Sequence, residues 1–536
     1  QKGLWYSITI KFKYFTLEIR DSLKLLPFSV SKIGKDFKTK HRKLEIEYQG
    51  YRYAGCEIKD DEKKYIENDV LVVKEALEIM YNEGHKKLTI GSCCLSEYKA
   101  IFSDLTGGMY GRFNKKMWEK YFPDLYSMED SSGKYNSIGH WVIKSYKGGW
   151  CYVSSESKCR ILQRGLTADV NSLYPSMMHS KSGNVFPVGN PTYWKGENIP
   201  KECFDGKHYF FIRIKCSFEI KDGYLPFIQI KGDFRYKGNE NLTTSKVKIN
   251  GNYVDSYIDV DGTINYGIVE LTLTQTDWTL FKEHYNINNL EIIDGYYFHA
   301  IRGIFDDYIN RYMKIKENSE GAVRQIAKLF LNNLYGKFAT YIDSSFKVAY
   351  LKNDGVVGFK TIHEEDKEAG YIPIGSAITS YSRNFTIRRA QKNYHPKEGY
   401  GFAYADTDSI HCYNMTEKQL VDIDIHESNL CCWKIESHWN TGWFVRQKTY
   451  IEEIEGRLDI KCAGLPERGK KLLDYSITRN KETLEELKEL SENEKKFIKK
   501  KRKIKDFNVG IKIPGKLSPK RIKGGIVLID TEFYMH

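Results

Sequence analysis

The stretch YGFAYADTDSIHCY, residues 400–413, decides the fold of this chain. It predicts an aromatic-rich strand, a tight turn at Asp406-Thr407-Asp408 and a returning strand. Two carboxylates two residues apart repel each other and require a cation or a positive neighbour. A calcium loop of the EF-hand type does not fit, because Ile410 stands where the third oxygen ligand belongs and the required glycine is missing. The stretch therefore predicts a β-hairpin whose tip presents acidic groups to a cation.

A second aspartate stands in TADVNSLYPSMM, residues 167–178. Leu166 to Val170 is predicted to be a short strand, and Asp169 lies at its end, where a carboxylate can project into a cleft. An aspartate before a turn is, by itself, more typical of a turn former. Its significance depends on whether other acidic and basic groups share the cleft.

A helix predicted to run through Lys328 and Tyr335 has one polar and one apolar face. At about 100° per residue, a sector of about 80° contains Arg324, Lys328, Asn332 and Tyr335. The opposite face is apolar and consists of Val323, Ile326, Ala327, Phe330, Leu334 and Phe338. Aspartates that share two divalent ions, together with a basic stripe for a polyphosphate, are what phosphoryl transfer requires. The three stretches together predict an enzyme of this chemistry.

The bulk composition is that of a large globular protein. With 536 residues the chain exceeds what one hydrophobic core usually serves, so several subdomains are expected. A content of 41% hydrophobic and 29% charged residues excludes wholesale disorder. The net charge of +13 favours a polyanion such as nucleic acid as partner, although lysine-rich codon usage would also produce it.

Cysteine spacing and hydropathy indicate the compartment. The 11 cysteines show no spacing suited to zinc and are expected to be reduced thiols in a cytoplasm. No apolar run approaches the roughly 20 residues that span a bilayer, and the first residues lack the apolar stretch of a signal peptide. The protein is therefore expected to stay inside the cell that makes it.

Hydropathy and turn residues divide the rest of the chain. Short β-rich runs separated by Gly, Pro and Asn turns occupy about 185–300, and a helical hairpin is predicted over 304–339. Strand-like sequence returns over 371–413. One long charged helical stretch is predicted over 480–505, and its basic part either binds phosphates or forms a solvated helix face.

In these motifs the chain resembles the family B DNA polymerases, specifically the protein-primed replicases of small tailed bacteriophages that infect Bacillus. DVNSLYP (169–175), KLFLNNLYG (328–336) and YADTDS (404–409) are similar to that family's three polymerase motifs, in the same order. The resemblance covers nearly the whole chain. It implies a template-directed DNA polymerase that extends a 3′ hydroxyl in the cytoplasm of an infected bacterium, with protein-primed genome replication and strand displacement.

The resemblance also implies an α/β multidomain fold shaped as a right hand, with palm, fingers and thumb, two palm insertions and a truncated ribonuclease H-like exonuclease domain. The implied order is the C-terminal part of the 3′–5′ exonuclease domain (1–90), the first part of the palm (91–180), an insertion that contacts a terminal protein (181–303), the fingers (304–339), a second insertion for processivity and strand displacement (340–372), the second part of the palm (373–461) and a thumb with a charged helical insertion (462–536).

The matching motifs assign roles to individual residues. By resemblance, Asp169, the Val170 carbonyl and Asp408 would bind two catalytic Mg²⁺ ions, for which Mn²⁺ can substitute, with Asp406 in support. Tyr174 would lie under the deoxyribose and exclude a 2′-hydroxyl. The residues implied to hold the incoming triphosphate or to line the nascent base pair are Lys316, Arg324, Lys328, Asn332 and Tyr335.

Two shorter motifs are similar to DNA-binding motifs of the family. SYKGGW resembles its Y-x-G-G template motif, and QKTY resembles its K-x-Y primer-terminus motif. The residues concerned are Tyr146, Gly148, Gly149, Lys448 and Tyr450. Ser22-Leu23 resembles a contact for single-stranded DNA and terminal protein. The implied partners of a monomer are template and primer DNA, deoxynucleoside triphosphates and a terminal protein, without a membrane.

Three features depart from the family pattern. Asn333 stands where the family usually has Ser, and residues 466–500 look inserted, without an assigned function. Lys43 and Tyr65-x-x-x-Asp69 resemble the end of a 3′–5′ exonuclease, but the acidic motifs that should precede them are absent. This chain is therefore expected not to proofread.

Three other functions remain open at this point. The first is a polymerase that extends a nucleic-acid primer without a terminal protein. The second is an RNA polymerase or reverse transcriptase, which Tyr174 disfavours because its ring would clash with a ribose oxygen. The third, a non-catalytic single-strand binder, needs only charge and aromatic side chains but leaves Asp169 and Asp408 without a role.

Overall fold

The computed structural model describes residues 7–46, 57–107, 113–233, 235–258, 262, 264–343, 345–351, 357–363, 368–487, 490–522 and 525–536. Within these ranges the strands are Ser7–Lys11 (β1), Thr16–Arg20 (β2), Cys151–Val153 (β3), Ile161–Val170 (β4), Phe186–Lys195 (β5), His208–Ile220 (β6), Val247–Ile249 (β7), Asn252–Val254 (β8), Ser256–Ile258 (β9), Ile264–Tyr266 (β10), Val269–Thr274 (β11), Tyr285–Ile301 (β12), Ser345–Leu351 (β13), Val357–His363 (β14), Tyr394–His395 (β15), Tyr400–Asp406 (β16), Ser409–Tyr413 (β17), Trp433–Arg446 (β18), Thr449–Ile454 (β19), Arg457–Cys462 (β20), Lys512–Ile522 (β21) and Gly525–Tyr534 (β22).

The helices in the same ranges are Val30–Asp36 (α1), Asp60–Asn82 (α2), Ile90–Leu105 (α3), Lys115–Tyr121 (α4), Ile138–Val142 (α5), Leu173–Met178 (α6), Gln275–His284 (α7), Asp306–Asn318 (α8), Gly321–Phe338 (α9), Ile372–Lys392 (α10), Glu467–Thr478 (α11), Lys481–Glu486 (α12) and Glu492–Lys499 (α13). Across the described part of the chain, no helix has both the length and the apolar character needed to cross a membrane.

An antiparallel sheet with the strand order β15-β16-β17-β4-β18-β19-β20 forms the framework of the site, and β3 pairs with β16. The predicted hairpin at 400–413 is confirmed: β16 pairs with β17, and Thr407 at its tip has a φ of 68°. β4, which ends in Asp169 and Val170, lies between β17 and β18. Both edges of this strand are therefore hydrogen-bonded, which fixes the position of Asp169.

Helix α10 corrects the prediction of strand-like sequence over 371–413. In its first half, from Ile372 to Ser380, every residue is buried. A helix buried all round has no polar face, so its sequence lacks the period of about 3.6 residues that separates helices from strands. The prediction holds in the second half of that region, where β15, β16 and β17 are strands.

The predicted β-rich region between about 185 and 300 forms a second sheet, with the order β11-β6-β12-β5. A buried ion pair joins its two longest strands, because Arg213 Nε donates to Asp294 Oδ1 at 2.8 Å. The small hairpins β7–β8 and β9–β10 lie between β6 and β11 in the chain. Of the region expected to be a second insertion, 340–372, the described part includes the hairpin β13–β14.

Helices α8 and α9 form the predicted helical hairpin over 304–339, and α9 packs against both α8 and α3. The buried side chains of α9 are Ile326, Ala327, Phe330, Leu331, Leu334 and Phe338. The prediction was wrong for Val323, which is 40% exposed. This residue lies in the first turn of the helix, ahead of the buried stripe, so the polar face is broader at this end.

The C-terminal region contains the hairpin β21–β22, against which α11 and α13 pack. The prediction of one long helix over 480–505 was wrong, because the chain forms two short helices, α12 and α13. Each has its own cap: the Asn480 side chain accepts from the N–H of Thr483, and that of Ser491 accepts from the N–H of Glu494. Asn and Ser side chains satisfy the free N–H groups of a first turn, so two caps favour two separate helices.

Candidate active site

Asp169 lies near the end of β4, and Asp408 lies in the turn just before the neighbouring strand β17, at one end of the central sheet. Asp169 is paired with Ser409 across β4 and β17, and the Val170 N–H donates to the Asp408 carbonyl at 2.7 Å. The fold thus brings together two aspartates that are far apart in sequence. Within the described ranges, neither side chain makes an ion pair.

Both of these carboxyl groups resist ionisation. Burial, followed by the nearby charges of Asp408 and Glu436, raises the pKa of Asp169 to about 7. Burial also raises the pKa of Asp408, and the charges of Asp406 and Glu436 add to this effect. Because a bound cation stabilises carboxylates in such an environment, the pair is suited to hold divalent ions.

The oxygen donors at this position fit Mg²⁺, which enzymes of nucleotide chemistry bind through one or two carboxylates together with substrate phosphates. Asp169, Asp408 and the Val170 carbonyl are the protein groups that would supply these oxygens. In the described part of the chain, no group of three or more His, Cys, Asp or Glu side chains is arranged to hold a metal alone.

The two aspartates line an open cleft with a volume of about 480 Å³. Three of its lining residues were missed by the sequence analysis, namely Glu436, Lys461 and Lys470. Glu436 is the residue at which the register between β18 and β4 shifts. Such a bulge redirects a side chain, and no motif marks it in the sequence.

Asp406 is held by neighbouring side chains. Lys448 Nζ donates to its Oδ1 at 2.7 Å, and Cys151 Sγ donates to the same oxygen at 2.9 Å. The Lys448 N–H in turn donates to the Tyr404 hydroxyl at 2.9 Å. Tyr450, two residues further on, lines the cleft together with Lys448. The residues of the K-x-Y motif are therefore placed beside the acidic hairpin.

Two tyrosines from separate motifs stack on each other near the aspartates. The rings of Tyr174 and Tyr335 have centroids 3.9 Å apart and planes inclined by 18°. Tyr146 lies close to this pair. Burial raises the pKa of Tyr146, and the neighbouring Tyr335 raises it further. Asn332, on the same helix as Tyr335, is exposed. The fold thus joins the aromatic residues of three predicted motifs.

The predicted cations of the helical hairpin also converge. Burial lowers the pKa of Lys316, and the nearby charges of Lys328 and Arg324 lower it further. Lys328 is close enough to Asp169 to oppose the rise in the pKa of that carboxyl group. Three mutually repelling cations beside a pair of carboxylates provide a site for a metal-bound polyphosphate.

The Y-x-G-G turn is built against the acidic hairpin. A β-carbon on Gly149 would come within 2.5 Å of the Thr407 side chain, so only glycine permits this close approach. Arg383, which the sequence analysis missed, is 4% exposed and donates to two carbonyls of the turn, that of Gly148 at 2.9 Å. Its other nitrogen donates to Asp277 at 2.5 Å. The turn is therefore fixed from both sides.

The three residues predicted as an exonuclease remnant lie together, remote in sequence from the cleft. Lys43 Nζ donates to the Tyr65 hydroxyl at 2.5 Å and to Asp69 at 2.9 Å. Ser22 and Leu23 form the start of a short 3-10 turn, in which Leu23 is 50% exposed. The Leu23 side chain is therefore accessible to a ligand.

A buried polar cluster lies one row deeper in the central sheet. His411 Nδ1 and Glu452 Oε1 are 2.6 Å apart, and Thr167 donates to the same oxygen at 3.0 Å. The Ser409 hydroxyl lies 3.3 Å from His411 Nε2. Because strand side chains alternate, Thr167 and Asp169 share a face and are about 7 Å apart along the strand. No sequence motif marks this cluster, because its members come from three separate stretches of the chain.

Known proteins resemble the chain over nearly its full length. The family model "DNA polymerase type B, organellar and viral" matches residues 1–55 and 51–426. The DNA polymerases of Bacillus phage Nf and Bacillus phage phi29 are each 35% identical, over 99% of this chain and 83% of the relative. The DNA polymerase of Streptococcus phage Cp-1 is 32% identical over 99% of this chain and 81% of its own length.

Solved structures agree with these relatives. The phi29 DNA polymerase complexed with primer-template DNA and incoming nucleotide matches with a TM-score of 0.76 at 33% identity, over 100% of this chain and 84% of the other. Its post-translocation binary complex with primer-template DNA matches with a TM-score of 0.77 at 32% identity. The predicted α/β right-hand fold is thereby confirmed, and the chain belongs to the family B DNA polymerases of the phi29-like phages.

Proposed function

We propose that Asp169 and Asp408 hold two divalent metal ions with which this DNA polymerase adds deoxynucleotides to a 3′ hydroxyl. When bound, such ions stabilise the attacking and the leaving oxygen of phosphoryl transfer. One observation carries the proposal: two adjacent, partly buried carboxyl groups have raised pKa values and, among the described residues, no cationic side chain bonded to them. Asp406 supports the site indirectly, through its bond to Lys448.

The chain's other residues would bind and orient the substrates. Lys316, Arg324 and Lys328 hold the triphosphate, because they form a cationic group beside Asp169. The stacked Tyr174 and Tyr335, with the exposed Asn332, form the surface for the sugar and the nascent base pair. The Y-x-G-G turn would contact the template, and Lys448 with Tyr450 would contact the primer terminus.

Primer extension with Mg²⁺ tests the metal assignment. The variant Asp408→Ala should lose extension while it still binds primer-template DNA. A matched control is Asp424→Ala, which removes an exposed carboxyl group outside the cleft and should retain extension. Equal activity of Asp408→Ala and the parent would overturn the assignment.

Sugar selection is assigned to Tyr174. A ring beneath the deoxyribose leaves no room for a 2′-hydroxyl, so Tyr174→Val should incorporate ribonucleotides at least about 10-fold more readily, equivalent to about 1.4 kcal/mol. Incorporation assays with deoxynucleotides and ribonucleotides measure the ratio. If the parent already uses both equally well, this role of Tyr174 is wrong.

A further part of the proposal is protein-primed replication of a phage genome, with strand displacement, by a monomer in the cytoplasm of an infected bacterium. The phage relatives support it, as does the second sheet, which falls within the predicted insertion at 181–303. We propose the subdomain boundaries given by the sequence motifs. In support, one central sheet contains β3 and β4 from residues 91–180 and β15 to β19 from residues 373–461, the two predicted parts of the palm. Attachment of a first nucleotide to a terminal-protein hydroxyl tests the priming.

The alternative is extension of nucleic-acid primers alone, which strict dependence on such a primer would favour. A non-catalytic single-strand binder fits less well, because it gives no reason for two carboxyl groups to be partly buried beside one another.

A further inference from the structure

Three side chains hold the carboxyl group of Asp406 at the tip of the acidic hairpin. Its Oδ1 accepts a hydrogen bond from Cys151 Sγ at 2.9 Å and another from Lys448 Nζ at 2.7 Å. The Tyr404 hydroxyl lies 3.4 Å from its Oδ2, a distance at which a hydrogen bond is weak. Cys151 and Lys448 are therefore the two main donors, and they share one oxygen atom.

Cys151 is the donor with a fixed position. It is the first residue of β3, it is paired with Asp406 across β3 and β16, and 6% of it is exposed. The backbone on both sides of the thiol is bonded as well. The Trp150 carbonyl accepts the Thr407 N–H at 2.8 Å, and the Cys151 carbonyl accepts from Asn241 Nδ2 at 2.7 Å. The sheet therefore holds the thiol beside Asp406.

The Cys151 thiol is also suited to remain a donor. Burial, followed by the charge of Asp406, raises the pKa of the thiol to about 12. The proton therefore stays on the sulfur at neutral pH. An S–H group can donate to a carboxylate, whereas a thiolate would repel it.

Lys448 is the donor that can leave. Its side chain is 58% exposed, it lines the cleft together with Asp169 and Asp408, and its charge sits on a flexible stem. The proposed function gives this lysine a second anionic partner, because it assigns Lys448 to the primer terminus. Ion pairs of exposed side chains are weak, so a DNA phosphate can replace Asp406 as the partner of Lys448.

A loss of both donors from Asp406 would affect the neighbouring metal site. Asp406 and Asp408 both line the cleft, and only Thr407 separates them in the chain. Two carboxylates this close repel each other unless a positive group or a donor compensates the charge. An Asp406 side chain without a donor could turn into the cleft and compete with Asp408 for cations. A donor that stays in place when Lys448 moves would prevent this competition.

We infer that Cys151 is a positioning residue for nucleotide addition, whose thiol keeps Asp406 in place when Lys448 turns to the primer terminus. This inference rests on the proposed polymerase function and adds a residue to it. No sequence motif marks Cys151, which lies two residues after the last glycine of the Y-x-G-G turn and meets Asp406 only through strand pairing. It acts through Asp406 rather than on the substrate.

Substitutions that separate side-chain volume from hydrogen bonding test the inference. Cys151→Ala and Cys151→Val both remove the donor, and Cys151→Val keeps most of the volume, whereas Cys151→Ser keeps a donor. With saturating DNA and nucleotide, Cys151→Ala and Cys151→Val should add a nucleotide about 10-fold more slowly, because a hydrogen bond to a charged group is worth about this factor. The KM for the nucleotide should change by less than about 2-fold, since binding of the nucleotide itself is unaffected. Cys151→Ser should recover most of the rate.

A matched control for the loss of a buried thiol is Cys216→Ala. Cys216 is a fully buried cysteine of the second sheet, and within the described residues its thiol has no hydrogen-bond partner. Its truncation should lower the unfolding temperature, as truncations in a core do, but leave the rate of nucleotide addition at the parent value. Thermal unfolding of every variant shows whether it is folded at the assay temperature.

The sharing of Asp406 by two donors gives a second prediction. In a Lys448→Met background the carboxylate depends on Cys151 as its main donor. Cys151→Ala should therefore cost at least about 3-fold more in rate in that background than in the parent. Equal costs in the two backgrounds would mean that the two donors act independently, and would overturn the inference.

Infrared spectroscopy tests the contact without an activity assay. The S–H stretching band of Cys151 is obtained by subtracting the spectrum of Cys151→Ala from that of the parent, and the band of Cys216 by the same subtraction with Cys216→Ala. The Cys151 band should lie at the lower frequency, because donation to a carboxylate weakens the S–H bond. It should stay there when primer–template DNA is added.

The two kinds of failure are distinguishable. If the parent itself does not extend primers, the proposed function fails and this role of Cys151 fails with it, although a shifted band would still show the contact. If the parent extends primers but Cys151→Val and Cys151→Ser have equal rates, or the Cys151 band lies at the frequency of the Cys216 band, only the inference about Cys151 is wrong.

Discussion

Two adjacent rows of side chains at the central sheet differ in whether their ionisable groups are bonded to a partner. In the row at the sheet end, Asp169 and Asp408 are partly buried and have no cationic partner within the described residues. In the next row, His411 and Glu452 are fully buried and bonded to each other, and Thr167 completes the cluster. The acidic pair at the sheet end therefore has no bonded cation among the described residues, whereas the His411–Glu452 pair has hydrogen-bond partners on both side chains.

The difference indicates that the first row binds a ligand and that the second row stabilises the sheet. Unpaired buried charge costs free energy and persists where a ligand completes it, whereas paired buried charge is costly to disrupt but needs no ligand. We expect substitutions in the first row to affect chemistry with little loss of stability. Substitutions in the second row should affect stability first.

The largest expected effect is on activity in the first row. Asp169→Asn should lower primer extension by at least about 10³-fold, since several kcal/mol of charge stabilisation by metal ions depend on this carboxylate. Its free energy of unfolding should equal or exceed that of the parent, because the change removes a disfavoured charge beside Asp408. Extension assays and denaturant unfolding measure the two quantities, and a large loss of stability would contradict the comparison.

The second row should show the reverse order of effects. His411→Leu leaves Glu452 buried with only a hydroxyl donor, so the free energy of unfolding should fall by roughly 3–5 kcal/mol. The double change His411→Leu with Glu452→Leu removes the stranded charge and should regain part of this loss. Unchanged stability of His411→Leu would show that the cluster does not support the sheet.

The contact between the Y-x-G-G turn and the acidic hairpin gives a smaller effect. Gly149→Ala places a β-carbon within 2.5 Å of Thr407 and must displace the turn that carries Asp408. We expect a loss of roughly 1–3 kcal/mol in stability and about 10-fold in extension. Gly148→Ala is the control, because a β-carbon there meets no atom within 4 Å. Equal behaviour of the two variants would refute this contact.

The smallest expected effect is a pH dependence of the metal-free protein. The pKa of Asp169 is raised to about 7, so the folded protein binds its proton more tightly than the unfolded chain does. This contribution to stability is complete below about pH 4, where the unfolded carboxyl group is also protonated, and is lost as the pH rises to about 7. Thermal unfolding of the parent and Asp169→Asn should diverge over that interval. Parallel curves would exclude a raised pKa.

Local patterns in the sequence predicted the parts of the fold that have one polar and one apolar side. The hairpin at 400–413 and the helical hairpin over 304–339 belong to this class. Helix α10 was mistaken for strands because its first half is buried on every side and therefore has no amphipathic period. The long helix over 480–505 was wrong because two local caps divide it.

The site shows the same limit. Asp169, Asp408 and Lys328 stand in compact motifs and were identified from sequence, with roles that remain predictions. Glu436 reaches the cleft through a bulge, and Glu452 meets His411 from a different strand. Contacts of this kind depend on strand register in the folded sheet, which a single sequence does not specify.

Anomalous scattering from crystals grown with Mn²⁺, primer–template DNA and a non-reactive nucleotide tests the central claim most directly. The account predicts two ions about 3.5–4 Å apart, both in contact with the carboxylates of Asp169 and Asp408 and one of them shared with the nucleotide's phosphates. Ions that bind elsewhere, or an unchanged pair of ions in crystals of Asp408→Ala, would contradict it.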